Sequence, residues 1–247
     1  MRQCYIIGYP LKKPRSIFLW KRFFKKHKIN SSMNSLEVKK NNVNIFIKKV
    51  KKNKNFLASA VTMPIKKEIY KYITPGDTVA RITKAINFIL KKNNKIYGYN
   101  TDILALLSLI EKKYLKNVLI LGLGGVGNAL FNYLKKNKSL KIFALSSKKK
   151  GKNIFSHINK IDLSKITLLI NCTPVGSGLK NLKNKSPIEF EDLMKINKKS
   201  LVFDIIYNPK NTKLLNHSKK LRLKTSNGIK MNTMQADIAL NMLLKNL

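Results

Sequence analysis

The chain has 247 residues, 44% of them hydrophobic, which is enough to bury one large or two small cores, and its two cysteines exclude a disulfide framework. No apolar run reaches membrane-spanning length and no secretory leader pattern opens the chain, so a cytoplasmic protein is expected, with no membrane partner. The 51 Lys and Arg residues against 11 Asp and Glu give a formal net charge of +40, a balance that ordinarily points to nucleic acid or acidic lipid. Here Lys is spread over the whole length, and Arg, the better reader of phosphate and guanine, is scarce. Lys, Asn and Ile dominate together, as in a genome drifting toward A and T, so the excess is read as solvated surface and no specific nucleic-acid partner is expected. The field should still draw anionic substrates and cofactors, most at low salt. Cys4 and Cys172 lie in apolar, strand-like segments and are expected as buried, reduced thiols. His27, His157 and His217 stand among lysines without metal-ligand spacing; all three are read as surface residues, and no metal is expected.

Strand and helix patterns alternate along the chain. A strand over 5–7 precedes a helix over 16–27. A strand over 35–38 precedes a helix over 44–50, and a strand over 57–62 a helix over 66–72. Short strands follow at 85–90 and 95–99, then a longer helix over 102–113. The strand over 118–121 leads into a glycine loop and a helix. Strands at 141–145, 167–171 and 201–205, with helices between them, and a final helix over 231–244 complete the pattern. The Lys- and Asn-rich stretches at 147–153 and 179–186 read as loops. Alternating βα units predict an α/β fold of two open domains with largely parallel sheets. The expected division is 1–102, then 103–227 as a Rossmann-like dinucleotide-binding domain, then a C-terminal helix, 228–247, packing back on the first domain. Ligands of such sheets bind beyond the carboxyl ends of the strands, where Thr62 with Lys66, Asn87, Thr101 with Asp102, Asn171 with Thr173, and Tyr207 fall. The active site is expected in a cleft between the two domains.

The glycine loop is the clearest local signal. Val118 to Leu121 runs into Gly122-Leu123-Gly124-Gly125-Val126-Gly127, and a helical segment follows. In a dinucleotide-binding unit the first glycine allows the tight turn, the second lets the backbone approach a pyrophosphate, and the last lets the helix pack on the strand. The helix N-terminus then offers free N–H groups to phosphate. About 20 residues on, an NAD site would place an acid for the ribose 2′-hydroxyl. The chain instead reads Ser146-Ser147-Lys148-Lys149-Lys150. Hydroxyls and ammonium groups suit a 2′-phosphate, so NADP is the expected cofactor.

The ordered set of short motifs resembles the shikimate dehydrogenase family over nearly the full length. The opening Ile6-Ile7-Gly8-Tyr9-Pro10 through Ser16 is similar to that family's first strand and serine-bearing turn. Ala60-Val61-Thr62-Met63-Pro64-Ile65-Lys66 resembles N-V-T-x-P-x-K, Ala85-Ile86-Asn87 resembles A-V-N, and Gly98-Tyr99-Asn100-Thr101-Asp102 resembles G-x-N-T-D. Beyond the glycine loop, Asn171-Cys172-Thr173-Pro174-Val175-Gly176 resembles N-A-T-P-x-G. Asp204 to Pro209 with Thr212 resembles D-x-x-Y-x-P-x-x-T, and Gly228 to Met231 with Gln235-Ala236 resembles G-x-x-M-x-x-x-Q-A.

The resemblance implies reversible reduction of 3-dehydroshikimate to shikimate with NADPH, in the chorismate pathway to the aromatic amino acids. It implies Lys66 and Asp102 as the catalytic pair, Ser16 at the substrate carboxylate, and Thr62, Asn87, Thr101, Tyr207 and Gln235 at the carboxylate or ring hydroxyls. For NADP it implies Gly122 to Gly127, including Gly125 and Val126, with Ser146, Ser147, Lys148 and Lys149 at the phosphates. Asn171, Thr173, Ile205, Gly228 and Met231 would line the nicotinamide side. Elementary chemistry agrees: reducing a ring ketone needs a hydride on carbon and a proton on oxygen. A free lysine titrates near ~10.4, too high for ready exchange at neutral pH. Desolvation would lower that value, and Asp102 would oppose the shift while holding the ammonium in place. For Asp102 the plainer alternative is a helix N-cap.

Three departures from the family pattern predict a working enzyme with weakened ligand binding. One serine of the first turn is Pro14, the asparagine of N-V-T is Ala60, and the N-R-T of the phosphate loop is Ser146-Ser147-Lys148. Lysine can replace arginine as a point charge but not as a fork. Two rival readings stay open: a dehydrogenase for quinate or another hydroxy acid, and a non-catalytic nucleotide- or nucleic-acid-binding protein on a Rossmann scaffold. A homodimer is allowed but not indicated.

Overall fold

The computed structural model describes every residue except Lys12, Lys13, Lys149 and Lys180. The chain separates into two compact units: Met1–Ala105 with Thr233–Leu247, and Leu106–Asn232. Among the described residues, no helix is long and apolar enough to cross a membrane.

The first unit runs β1 (Arg2–Gly8), α1 (Arg15–Lys26), β2 (Ser31–Glu37), α2 (Val43–Lys52), β3 (Phe56–Val61), β4 (Thr74–Pro75), α3 (Thr78–Thr83), β5 (Phe88–Lys92), β6 (Lys95–Tyr99) and α4 (Thr101–Ser108). Its sheet has the order β2-β1-β3-β5-β6-β4. β1 pairs in parallel with β2 and β3, whereas β5 runs antiparallel to both β3 and β6. The sheet is buried on both faces. Alternate residues of β1 divide between them, Cys4 and Ile6 on one side and Ile7 on the other. On one face Leu19, Trp20 and Phe24 of α1 pack with Phe88, Leu240 and Leu243. On the other, α2 presents Val43, Phe46, Ile47 and Val50, the i, i+3, i+4, i+7 stripe of an amphipathic helix.

The β5–β6 hairpin closes through Asn93 and Asn94, with φ of 49° and 58°. Positive φ at both central residues is what a two-residue turn matching the strand twist requires, and Asn tolerates it. The turn pairs Lys92 with Lys95 and Phe88 with Tyr99, so Asn87 and Asn100 emerge side by side at the far end.

Several expected elements are revised. The helix over 66–72 is a turn followed by one 3-10 turn, Ile69–Tyr72. The Lys66 carbonyl, which a helix would use internally, accepts from the Ile86 N–H at 2.8 Å. The helix over 102–113 stops at Ser108, where Leu109 and Ile110 turn their N–H groups back to Leu106 and Leu107 three residues earlier. The strand over 35–38 pairs over Ser31–Glu37 instead, its exposed residues hiding it from a hydrophobic pattern. Helix α3 was not anticipated; Asp77 caps its start and Lys84, at φ 50°, ends it.

The second unit runs β7 (Asn117–Leu121), α5 (Gly125–Leu134), β8 (Lys141–Leu145), β9 (Ile154–Phe155), β10 (Leu168–Asn171), α6 (Phe190–Met194), β11 (Leu201–Asp204), α7 (Lys213–Lys220), β12 (Lys224–Asn227) and the first turn of α8 (Gly228–Leu244). Its strands are all parallel, in the order β12-β11-β10-β7-β8-β9. That is the doubly wound dinucleotide-binding order, with the reversal between β7 and β10. Leu119, Leu169 and Val202 of its central strands pack with Ile166, Leu193 and Leu214.

Both cysteines are free and buried. Burial pushes the Cys4 thiol up to about 11 and raises that of Cys172 further, so both stay protonated. Two of the three histidines are surface residues as expected: His157 and His27 are exposed, the latter with its ring 4.2 Å from that of Phe23. His217 is half-buried edge-on to Phe190, because α6 packs against α7 there.

Candidate active site

In the first unit, the chain leaving β3 turns through Thr62, Met63, a cis Pro64 and the fully buried Ile65 before presenting Lys66. Ile65 anchors the turn in the core, and the Lys66 carbonyl is tied to Ile86. The Lys66 ammonium is thereby aimed at α4. Nζ donates to Asp102 Oδ2 at 2.6 Å, with side-chain exposures of 21% and 13%. The two groups are screened from bulk water yet reachable. Asp102 sits in the first turn of α4, where the free N–H groups favour a negative charge.

Asp102 is not the cap of that helix. Asn100 is: its Oδ1 accepts from the Ile103 N–H at 3.3 Å. Its Nδ2 donates to Thr83 Oγ1 and to the Ala85 carbonyl at 3.1 and 3.0 Å. Its backbone N–H donates to Asp77 Oδ2 at 3.0 Å. Asp77 also accepts from Ala80 at the start of α3. The sequence alone did not single out Asn100 or Asp77 as site residues; the signal was an asparagine beside Thr101-Asp102 at a strand–helix junction.

Asn87, Thr101 and Gln235 form one cluster. The Asn87 amide donates to Thr101 Oγ1 at 2.9 Å and to Gln235 Oε1 at 3.2 Å, and Asn87 Oδ1 accepts the Thr101 N–H at 2.7 Å. Asn87 and Thr101 are almost fully buried, so their rotamers are fixed before any ligand arrives. Ser16 lies half-buried in the first turn of α1, and Thr62 half-buried at the end of β3. Neither side chain joins the cluster among the described residues. A Cβ on Gly8 would stand 2.4 Å from Thr62 Cγ2, so glycine there is what leaves Thr62 its place. Ala60 is half-buried in β3, and Pro14 precedes α1 without a side-chain cap.

In the second unit, Gly122 has φ 87°, the left-handed turn that lifts the chain off β7. A Cβ on Gly127 would lie 2.0 Å from the Gly122 carbonyl oxygen, so α5 can start only with glycine at that point. At Gly124 and Gly125 a Cβ would meet nothing within 4 Å. Packing does not demand glycine there; without side chains these two residues leave open space over the helix N-terminus. That space belongs to a pocket of about 500 Å³ lined by Gly122, Gly124, Ser146, Ser147, Lys148 and Thr173, among others. The pocket, its bare N–H groups and its hydroxyl- and ammonium-bearing rim fit a phosphorylated dinucleotide. Lys149 lies outside the described residues. Val126 follows in the first turn of α5.

Asn171 is fully buried and does not line the pocket. Its Oδ1 accepts from the backbone and hydroxyl of Thr173 at 2.9 and 2.7 Å, and its amide reaches the Val175 carbonyl and Asp204 Oδ1 at 3.2 and 3.1 Å. Thr173 therefore faces the pocket and Asn171 holds it there. Asp204, also buried, accepts from Thr212 Oγ1 at 2.7 Å and from the Ile206 N–H at 3.1 Å. Burial raises its carboxyl above the usual range, against the pull of these donors. Motif spacing alone does not mark Asp204 and Thr212 as site residues; their buried mutual bond places them behind the site as supports. Ile205 is half-buried, and its carbonyl oxygen would be 1.9 Å from a Cβ on Gly228. Met231 is buried, whereas Tyr207 is 46% exposed. Among the described residues no cluster suits a metal ion.

A family model described as the shikimate dehydrogenase substrate binding domain matches residues 6–89. An NADP(+) shikimate dehydrogenase of Pelagibacter ubique is 32% identical over 245 residues, covering 95% of this chain and 90% of the relative. A solved shikimate dehydrogenase in complex with NADP+ is similar at 26% identity and a TM-score of 0.85, over 99% of this chain and 90% of that one. The enzyme of Thermus thermophilus, solved with NADP(H) and shikimate, shares the fold at 21% identity and a TM-score of 0.85, over 100% and 95%. On this extent of similarity, the chain belongs to the shikimate dehydrogenase family.

Proposed function

We propose that this chain catalyses the reversible reduction of 3-dehydroshikimate to shikimate with NADPH. The observation that carries this reading is the Lys66–Asp102 pair, 2.6 Å apart and set next to the Asn87–Thr101–Gln235 cluster through Thr101. In the reduction, Lys66 Nζ gives a proton to the ketone oxygen; in the oxidation it takes one from the alcohol. Asp102 holds the ammonium and accepts a hydrogen bond from a neighbouring hydroxyl. Asn87, Thr101 and Gln235, with Ser16, Thr62 and Tyr207, bond the carboxylate and ring hydroxyls. A site of short neutral donors and acceptors rejects analogues lacking a hydroxyl, because its own buried groups would be left unpaired.

NADPH, when bound, would supply the hydride. The glycine loop from Gly122 to Gly127 would hold its pyrophosphate, and Ser146, Ser147 and Lys148, with Lys149 of the same loop, would hold its 2′-phosphate. Thr173, positioned by Asn171, works with Ile205, Gly228 and Met231 on the nicotinamide side.

The test is shikimate-dependent reduction of NADP+, followed by absorbance, for the wild type beside Lys66→Ala, with quinate in a parallel arm. Activity on shikimate that the variant loses supports the proposal. Faster turnover of quinate moves the assignment to the sister activity. Salt-sensitive DNA binding with no turnover of either acid overturns the enzyme reading.

A further inference from the structure

We propose that the second unit carries an anion site, separate from the cofactor pocket, for a small and multiply charged phosphate compound. The strands of this sheet are all parallel, so all begin at the end opposite the glycine loop. At that end a pocket of about 640 Å³ opens between the turns that enter β7, β10, β11 and β12, four adjacent strands. Lys113, Lys116, Lys198, Lys199, Arg222 and Lys224 line it. Each is exposed, and each stands on a turn or strand start that the sheet fixes in place. Lys113 pairs with Glu111, whose carboxylate also feels the charge of Lys224; among the described residues, Lys116, Lys198, Lys199, Arg222 and Lys224 enter no direct ion pair.

Surface lysines on convex helix faces spread their charge into water. Cations converging on a concavity repel one another and focus their field inward, where a ligand carrying several negative charges relieves the repulsion at once. Thr167 and Asn197 add neutral polar groups to the wall. The chemistry favours phosphate without a base. Tyr114, the aromatic residue in the wall, is buried, and the Lys113 ammonium lies 5.1 Å from its ring centre, so no free stacking platform is offered.

The experiment is calorimetric titration of the full chain with tripolyphosphate, with and without saturating NADP+, at fixed ionic strength. Orthophosphate and a single-stranded oligonucleotide serve as comparison ligands. The expected result is one tripolyphosphate per chain, bound at least tenfold more tightly than orthophosphate and equally well in both arms. Lys198→Ala/Lys199→Ala should weaken it at least fivefold and leave shikimate oxidation unchanged. The control Lys48→Ala/Lys52→Ala on α2 removes the same charge elsewhere and should leave binding as it was. Loss of binding in the NADP+ arm, equal weakening by the control, or no preference over orthophosphate overturns the proposal. So does tighter binding of the oligonucleotide at the same lysines, which would make the surface a nucleic-acid contact.

Discussion

The backbone N–H of Asn100 donates to Asp77 Oδ2 at 3.0 Å, and the consequence is felt two residues on. Asp77 fixes Asn100, Asn100 caps α4, and the cap sets the direction in which Asp102 meets Lys66. Asn100→Ala is expected to lower stability by about 1–2 kcal/mol, the range for a lost cap with buried partners left behind. It should also reduce kcat at least tenfold while NADP+ affinity, which depends on the other unit, stays unchanged. Thermal unfolding, steady-state kinetics and cofactor titration together check this. Normal kcat in a folded variant would dissociate the cap from Asp102.

Removing the pair itself should act on turnover. Lys66→Ala and Asp102→Asn are each expected to lower kcat by about 10²–10⁴-fold, the usual contribution of a positioned acid–base group. The double variant should lose no more than roughly the worse single one, since the two act as a unit. Additive losses in the steady-state rates would mean that they work independently.

The glycines of the loop should separate into two kinds. Gly127→Ala drives a methyl into the Gly122 carbonyl and is expected to destabilise the second unit by about 1–3 kcal/mol. Gly124→Ala meets nothing in the protein, so thermal stability should hold while the NADP+ dissociation constant rises at least tenfold. Equal effects of both substitutions on stability would contradict this division.

Lys148 stands on the rim of the same pocket. Lys148→Glu should lower kcat/KM for NADP+ at least tenfold and change that for NAD+ little or raise it, since a carboxylate repels a 2′-phosphate and accepts from a 2′-hydroxyl. The wild type, with Pro14, Ala60 and no phosphate-loop arginine, is expected to show raised KM for both shikimate and NADP+ beside family enzymes that keep those three motif residues. Family-like KM values for both ligands would contradict this expectation.

His217 gives the chain a pH dependence. Burial beside Phe190, reinforced by the charges of Lys213 and Lys220, holds its imidazole below the usual range. The folded state therefore prefers the neutral ring. The contribution is fully present above the unfolded value of about 6.5 and is lost as pH falls through the lowered folded value. Melting temperature should drop across that interval in the wild type, and less steeply in His217→Leu. Parallel profiles for the two proteins would assign the loss to other groups.

Much of this was legible in the sequence because the informative residues are local. Gly122, Gly124 and Gly127 announce their turn by spacing, and the strands at 95–99 and 141–145 match β6 and β8 residue for residue. Lys66 and Asp102 could be chosen, but not their 2.6 Å approach, which depends on the Ile86–Lys66 bond between distant segments. That same tertiary bond is why the helix over 66–72 does not form. Asn171 illustrates the opposite failure. Its residue type suits a ligand contact, but complete burial and its bonds to Thr173, Val175 and Asp204 make it a support for its neighbour. The exposure of most of its residues hid β2, and a length of six residues, too short for a periodic pattern, hid α3 despite the aspartate at its cap.

The Asn93–Asn94 turn fixes the pairing that delivers Asn87 and Asn100 together, so its length is constrained even though its position is remote. One inserted residue would exchange the inward and outward faces of β6 and carry Thr101 away from Asn87. Its composition is constrained too, because both central residues hold left-handed backbone, which asparagine, aspartate and glycine adopt more readily than other residues do. A chain rich in asparagine therefore meets this bend's backbone demand with its commonplace residues, and the polar cluster at the other end of the strands inherits its alignment from them.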